Sequence, residues 1–323
     1  TDSGVKWNHP DLQANVWINP AESAGMSLDW ANGLVLGGNG QDAGEGGGKI
    51  DDLIGWDFCG VQSPAQQDNN PIQNFATNDH GTHVAGCAGA AGNNGIGVVG
   101  TSPNVSILSC KGSFDLTPST GVMYAYDQVK YAAEVGADII NCSWGSVVSG
   151  TSQINYANSQ VNYATALGSL VVVAAGNENT QHNNSYIDMP ADAYNALCVA
   201  ATNSSDTKAS FSDYGESIDI SAPGEGILST VIAGNSYQSY NGTSMASPIV
   251  AGIAAMVKSM HPNLTPEQLM NRIMMTADPI DDLNPGYAMQ LGTGRANVYT
   301  AVMYDKIPNV KLQGYTLSEF SGD

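Results

Sequence analysis

The chain has 323 residues, 42% of them hydrophobic and 12% charged, which suits one large α/β domain or two smaller ones with a packed core. Its formal charge of −20, with only Arg272 and Arg295 as arginines, argues against nucleic acid, which wants a basic face. No apolar run approaches the roughly 18 residues that span a bilayer. The acidic, hydrated surface suits a secreted enzyme or one from salty or cold water, or serves solubility alone.

Read in chain order, the sequence opens on Asp2-Ser3-Gly4. Groups that do chemistry in open α/β sheets gather at the carboxyl ends of strands, so Asp2 should end a buried strand. That first strand is expected to be missing from the sequence given. From about residue 20 to 79 the chain is rich in Gly, Asn and Asp, which are loop signals, interrupted by one strand-like word at 54–58. Beyond residue 80, apolar runs at 105–110, 138–142, 170–175 and 197–201 read as buried parallel strands. Between the first two, Val122, Tyr126, Val129 and Ala133 recur at helical spacing. The run 249–257 is apolar on all faces and predicts a buried helix, with Pro248 in its first turn, where a missing N–H is harmless. Thr265-Pro266-Glu267-Gln268 supplies an N-cap, a first-turn proline and a capping-box glutamine for a late helix. Strands alternating with helices predict an α/β fold, a three-layer sandwich with a mostly parallel central sheet.

Five cysteines, Cys59, Cys87, Cys110, Cys142 and Cys198, show no metal-ligand spacing, and the odd count leaves at least one thiol free in a monomer. Disulfides are allowed but not demanded. The tail from about residue 305 carries no helix to join.

Three segments carry the chemistry. Asp2-Ser3-Gly4, His80-Gly81-Thr82-His83 and Gly242-Thr243-Ser244-Met245-Ala246-Ser247-Pro248 each hold one member of a nucleophilic triad. A serine hydroxyl attacks poorly unless an imidazole takes its proton and a carboxylate orients that imidazole. Ser244 falls at a helix N-terminus, where free N–H groups favour developing negative charge; an N-capping serine before a core helix is the plainer reading. A zinc site from His80 and His83 is the rival for the histidines, but no Glu accompanies them as in HExxH.

The order aspartate, histidine, serine and the words around each resemble the subtilisin-like serine proteases, over about residues 1 to 304. The resemblance implies that Ser244 attacks, His80 is the base, Asp2 orients it, and His83 is a structural companion. It implies that Asn177, in Ala174-Ala175-Gly176-Asn177-Glu178, joins the Ser244 N–H as an oxyanion hole; a turn asparagine is the alternative. Residues 1–304 would be the peptidase domain, and 305–323 a linker or the start of a further domain. Protein or peptide substrates, an upstream propeptide inhibitor, secretion to the cell exterior and a monomeric state are what the family implies.

Ser143-Trp144-Gly145 resembles the segment that pairs with substrate backbone as an added strand. With Ala175 and Gly176 it would wall the primary pocket. Aligning Met189-Pro190 with the family puts Asp188 near the pocket floor and Glu178 at its rim, which would favour Lys or Arg before the scissile bond. An exposed Asp188 is the ordinary alternative, leaving broad, hydrophobic-leaning specificity. Two structural Ca²⁺ sites are implied. One uses Asp11 and Asn94 with the carbonyls of Gly92, Ile96 and Val98; the other uses Asp57, Asp68 and Gln73. Asn/Asp-rich turns would account for either stretch. Readings of another class are a non-catalytic scaffold acting as a binding or adhesion module, and an esterase using the same nucleophile. The esterase reading lacks a Gly-x-Ser-x-Gly elbow.

Overall fold

A computed structural model describes residues 1–44, 48–61, 66–118 and 121–304; the tail expected beyond residue 304 lies outside the described residues. In chain order come β1 (Met26–Asp29), β2 (Leu34–Gly37), β3 (Gly55–Asp57), α1 (His80–Gly89), β4 (Ser109–Lys111), α2 (Ala125–Glu134) and β5 (Ile139–Cys142). Next are β6 (Ser146–Val148), α3 (Thr151–Ala166), β7 (Leu170–Ala174), β8 (Gln181–His182), β9 (Ile187–Met189) and β10 (Ala196–Thr202). The chain continues through β11 (Tyr214–Gly215), β12 (Ile220–Pro223), β13 (Ile227–Thr230), β14 (Tyr237–Tyr240), α4 (Thr243–Met260), α5 (Pro266–Met275) and α6 (Val298–Met303).

The central sheet runs β12-β10-β7-β5, and every pairing in it is parallel. Because side chains alternate along a strand, Leu170 and Val172 of β7, with Leu197, Val199 and Ala201 of β10, face Val250, Ala254 and Ile273 of α4 and α5. Val171, Val173, Cys198 and Ala200 face the other way, onto Val129, Ala133, Ala157 and Val161 of α2 and α3. Two cores on one sheet make the three layers, as expected for an α/β fold. Among the described residues no helix is long and apolar enough to cross a membrane.

β3 and β4 form a separate parallel pair beside β5. The chain start lies between them: Asp2 N donates to Cys110 O (3.2 Å), Gly112 N to Asp2 O (2.8 Å), and the Thr1 amine to Asn141 O (3.0 Å). Behind Thr1, a cavity of about 710 Å³ separates β4 from β5, lined by Val84, Ala85, Ile107, Ile140 and Ala251.

Several elements depart from the sequence reading. The loop-rich stretch 20–79 contains the antiparallel β1–β2 hairpin, whose short strands put only Met26, Leu28 and Val35, half-buried, against the core. The run at 105–110 yields only a short strand, because Ile107 pairs instead with Asn15 and Trp17 of the first segment. Polar α3 buries only Ala157, Val161 and Ala164, one narrow face. All five cysteines are free and buried, and burial pushes the Cys59 and Cys87 thiols up to about 12 and those of Cys110 and Cys142 to about 11.

The capping box at Thr265 forms as read: Gln268 N donates to Thr265 Oγ1 (3.2 Å) and Thr265 N to Gln268 Oε1 (3.0 Å). Thr265→Ala should cost about 1 kcal/mol of stability, read as a lowered midpoint in denaturant at unchanged slope.

Candidate active site

α1 and α4 pack against each other through Val84, Cys87 and Met245, so the His80 end of one helix approaches the Ser244 end of the other. Asp2, delivered beside β4, meets His80 directly: His80 Nδ1 lies 2.9 Å from Asp2 Oδ1 and 3.1 Å from Oδ2. Ser3 holds this junction closed. Its hydroxyl donates to Asn78 O (2.9 Å) and accepts from Gly81 N (3.1 Å), capping α1, while Ser3 N donates to Asp2 Oδ1 (2.6 Å). Burial alone would raise the Asp2 carboxyl, but the His80 charge and the bonds from His80 and Ser3 bring it below its ordinary value. For His80, burial opposes the charged form, yet Asp2 and then Asp79 outweigh it and leave the imidazole above its ordinary value. His83 faces elsewhere, with Nε2 2.9 Å from Gln238 O and its ring stacked on Tyr240.

Pro248 is the sixth residue of α4, not part of its first turn as the sequence suggested. Its missing N–H would have been the helical donor to Ser244 O, and a carbonyl left dry is costly. Ser143 Oγ fills the vacancy, donating to Ser244 O at 2.8 Å, and Ser244 Oγ donates back to Ser143 O at 3.2 Å. Asn141 extends the network. Its Nδ2 donates to Ser143 Oγ (3.0 Å) and its Oδ1 accepts from Ser247 Oγ (2.8 Å). Among the described residues no hydrogen bond joins Ser244 Oγ to His80.

Asn177 follows β7 and sits beside the same turn of α4. Its Oδ1 accepts from Thr243 N (2.9 Å) and Thr243 Oγ1 (3.1 Å), which leaves Nδ2 as the donor end of the amide. Trp144 is pinned by Nε1 to Thr1 Oγ1 (3.0 Å). Gly145 and Glu178 are exposed, whereas Asp188 is 6% exposed, contrary to the exposed alternative. Asn141, Ser247, Thr243 and Ser3 escaped the sequence reading as positioning residues; only their places inside the motif words could have flagged them.

The two calcium stretches behave differently. Buried Asp11 meets the 92–98 loop: Asn94 Nδ2 donates to its Oδ1 (2.5 Å) and Val98 N to its Oδ2 (2.8 Å). Among the described residues no donor reaches the carbonyls of Gly92, Ile96 or Val98, whereas Asn94 Oδ1 accepts from Ile96 N (3.1 Å), so the three carbonyls are the oxygens of this set left open. The Asp57 group does not fit. Asp57 Oδ2 accepts from Lys111 Nζ (2.6 Å), and its Oδ1 from Cys59 N (2.8 Å) and Gly60 N (2.9 Å). Asp68 Oδ1 accepts from Asn70 N, and Gln73 Nε2 is turned to Ser113 Oγ (2.7 Å). The Lys111 ammonium, also paired with Asp115, is the cation here. Burial disfavours it, but Asp57 and Asp115 hold it protonated above its ordinary value.

The class is thus an α/β domain that holds a carboxylate–imidazole pair near a serine at a helix N-terminus. The chain matches the subtilase family over residues 1–301 and belongs to it. It is 38% identical to subtilisin amylosacchariticus of Bacillus subtilis subsp. amylosacchariticus over 242 residues, 75% of this chain and 60% of that protein. It is 36% identical to thermitase of Thermoactinomyces vulgaris over 303 residues, 94% of this chain and 87% of that one. A solved protease structure from Pseudoalteromonas arctica PAMC 21717 superposes with a TM-score of 0.64 at 25% identity, covering 92% of this chain and 96% of that one. The chain thus spans about 60% of the length of subtilisin amylosacchariticus.

Lys111→Met should destabilise the fold by about 3–5 kcal/mol, because it strands the buried Asp57 carboxylate without a counter-charge. Chemical denaturation of the variant checks this.

Proposed function

We propose that this chain is a serine endopeptidase working through an acyl-enzyme on Ser244, and the observation that carries the reading is the Asp2–His80 contact beside the α4 N-terminus. Asp2 accepts from His80 Nδ1–H and so fixes the tautomer that leaves Nε2 as a base. The Ser244 hydroxyl first gives up its bond to Ser143 O. As Oγ attacks the peptide carbonyl carbon, its proton passes to His80 Nε2, and the carbonyl electron pair moves onto oxygen. The Ser244 N–H and Asn177 Nδ2 receive that oxyanion, and one such donor typically contributes about 10²–10³ in turnover. His80 then protonates the departing amine as the C–N bond breaks, and water repeats the sequence to free the acid. Ser143, Trp144 and Gly145 would pair with substrate backbone, with Ala175 and Gly176 on the opposite wall.

The reading takes residues 1–304 as the peptidase domain. Asp11, Asn94 and the carbonyls of Gly92, Ile96 and Val98 would hold Ca²⁺, which when bound stiffens that loop and takes no part in the reaction. Secretion, a monomeric state and a propeptide inhibitor belong to the same proposal by family likeness. The complete Asp2, His80, Ser244 and Asn177 set disfavours the non-catalytic scaffold.

A fluorophosphonate probe should add one adduct to the intact mass of the folded, calcium-loaded chain, and none to Ser244→Ala. No adduct on the unaltered chain would defeat the reading. Because His80 is held above its ordinary value, the acidic limb of kcat/KM should fall at a pH above about 6.5. Asp2→Asn removes the charge that raises it, so the limb should move to lower pH while kcat drops on the order of 10⁴-fold. Hydrolysis of a peptide substrate from pH 5 to 9 measures both.

A further inference from the structure

We propose that Asp188 is the specificity-determining residue of a primary substrate pocket that selects Lys or Arg on the acyl side of the scissile bond; this rests on the protease reading above. β6 and β9 pair antiparallel with Val147 opposite Asp188, which carries the Asp188 side chain under the segment that starts at Ser143. A Cβ added to Gly145 would lie 2.6 Å from Asp188 Oδ1, so only a glycine leaves that carboxylate open toward the cleft. Ser143, two residues earlier, exchanges hydrogen bonds with Ser244. The opposite wall is Gly176, where an added Cβ would meet Asp213 Oδ2 at 2.3 Å and Glu178 Oε2 at 3.2 Å. Asp188 therefore lies against the strip that reaches the nucleophile, and Asp213 and Glu178 beside the other strip are near enough to act on its charge.

Its Oδ1 is buried and has no hydrogen-bond partner among the described residues. A buried carboxylate oxygen left without a donor is expensive, and a guanidinium or ammonium entering the pocket supplies the donor and the charge together. The surroundings are not neutral. His182 has Nδ1 2.7 Å from Asp192 Oδ1 and Nε2 3.5 Å from Asp213 Oδ2. Burial opposes its charge, but the two carboxylates raise it to about 10, so it is a cation through the neutral range. That one cation faces Asp192, Asp213, Asp188 and exposed Glu178. Tyr126, Tyr186 and the Cys198 thiol also face the group and stay protonated, each raised first by burial. Four carboxylates against this one cation leave three more than His182 can neutralise.

The same balance makes the selection depend on pH. Burial pushes the Asp188 carboxyl up to about 7; His182 pulls it down, while Asp192, Glu178 and Asp213 push it further up. Below that value the free enzyme holds a neutral acid, which gives a cationic side chain little advantage over an apolar one. Above it the carboxylate is ionised. Lysine and arginine stay charged throughout, and the ratio of kcat/KM for two substrates of one enzyme cancels the His80 limb.

The test compares peptides that differ only in the acyl-side residue, Arg, Lys or Leu, on the whole chain from pH 6 to 9. A fluorophosphonate adduct recorded on the same sample tests the protease reading separately. The expected result is an Arg/Leu ratio that rises through about pH 7 to about 10- to 100-fold, and that stays low and flat in Asp188→Asn. A labelled enzyme whose ratio is flat with pH, or unchanged in Asp188→Asn, overturns the assignment to Asp188 and leaves the protease reading standing. If the variant does not fold, the pH series on the unaltered chain decides alone: a rising ratio supports the proposal and a flat one overturns it. Absence of labelling removes both.

Discussion

The carbonyl oxygen of Ser244 has no donor from its own helix, because the residue four positions on is Pro248. Much of the site follows from satisfying that oxygen. Ser143, just past β5, supplies the proton, and its placement is fixed in turn by Asn141 and Ser247. One residue earlier on α4, Thr243 fixes the amide of Asn177 just past β7. The carboxyl ends of two neighbouring parallel strands are thus tied to one helical turn, which also offers the free N–H of Ser244 to an incoming charge. A regular helix at this position would have satisfied its own carbonyl and left the strand ends without an anchor.

Among the described residues two imidazoles pair with carboxylates, and the number of carboxylates separates their behaviour. His80 has one direct partner, which raises it above its ordinary value, and is half-open, so its ring can exchange a proton with what enters the cleft. His182 lies wholly buried between two, which holds it charged through the neutral range. A group that titrates suits proton transfer; one that does not suits a fixed field. Neither behaviour was visible from the histidines alone, since Asp192 and Asp213 lie 10 and 31 positions from His182 and only the fold brings them together.

What could be read from the sequence was what local pattern controls. The continuous apolar runs of β7 and β10 and the all-round apolar α4 announce burial on both sides of a sheet, and the Thr265 capping box is a local bond pattern. The triad words were legible because each is embedded in small residues within a short span. The β1–β2 hairpin was hidden because its strands are short and offer only three half-buried apolar side chains to the core. Pairings between distant residues were also hidden: Asp57 and Lys111 stand 54 positions apart, so the acidic loop looked like a place for a metal ion. Asp188 looked like a surface carboxylate until β6 was found folded over it.

The Lys111 ammonium has a consequence for how this loop responds to its surroundings. A diffusible ion occupies its site only as far as its free concentration exceeds its dissociation constant, and the structure it supports weakens when the ion is diluted away. An ammonium tethered to the strand that presents it is always at the same high effective concentration. The junction between β3, β4 and the first segment is therefore held by a cation made with the chain, and its firmness is independent of what the medium supplies.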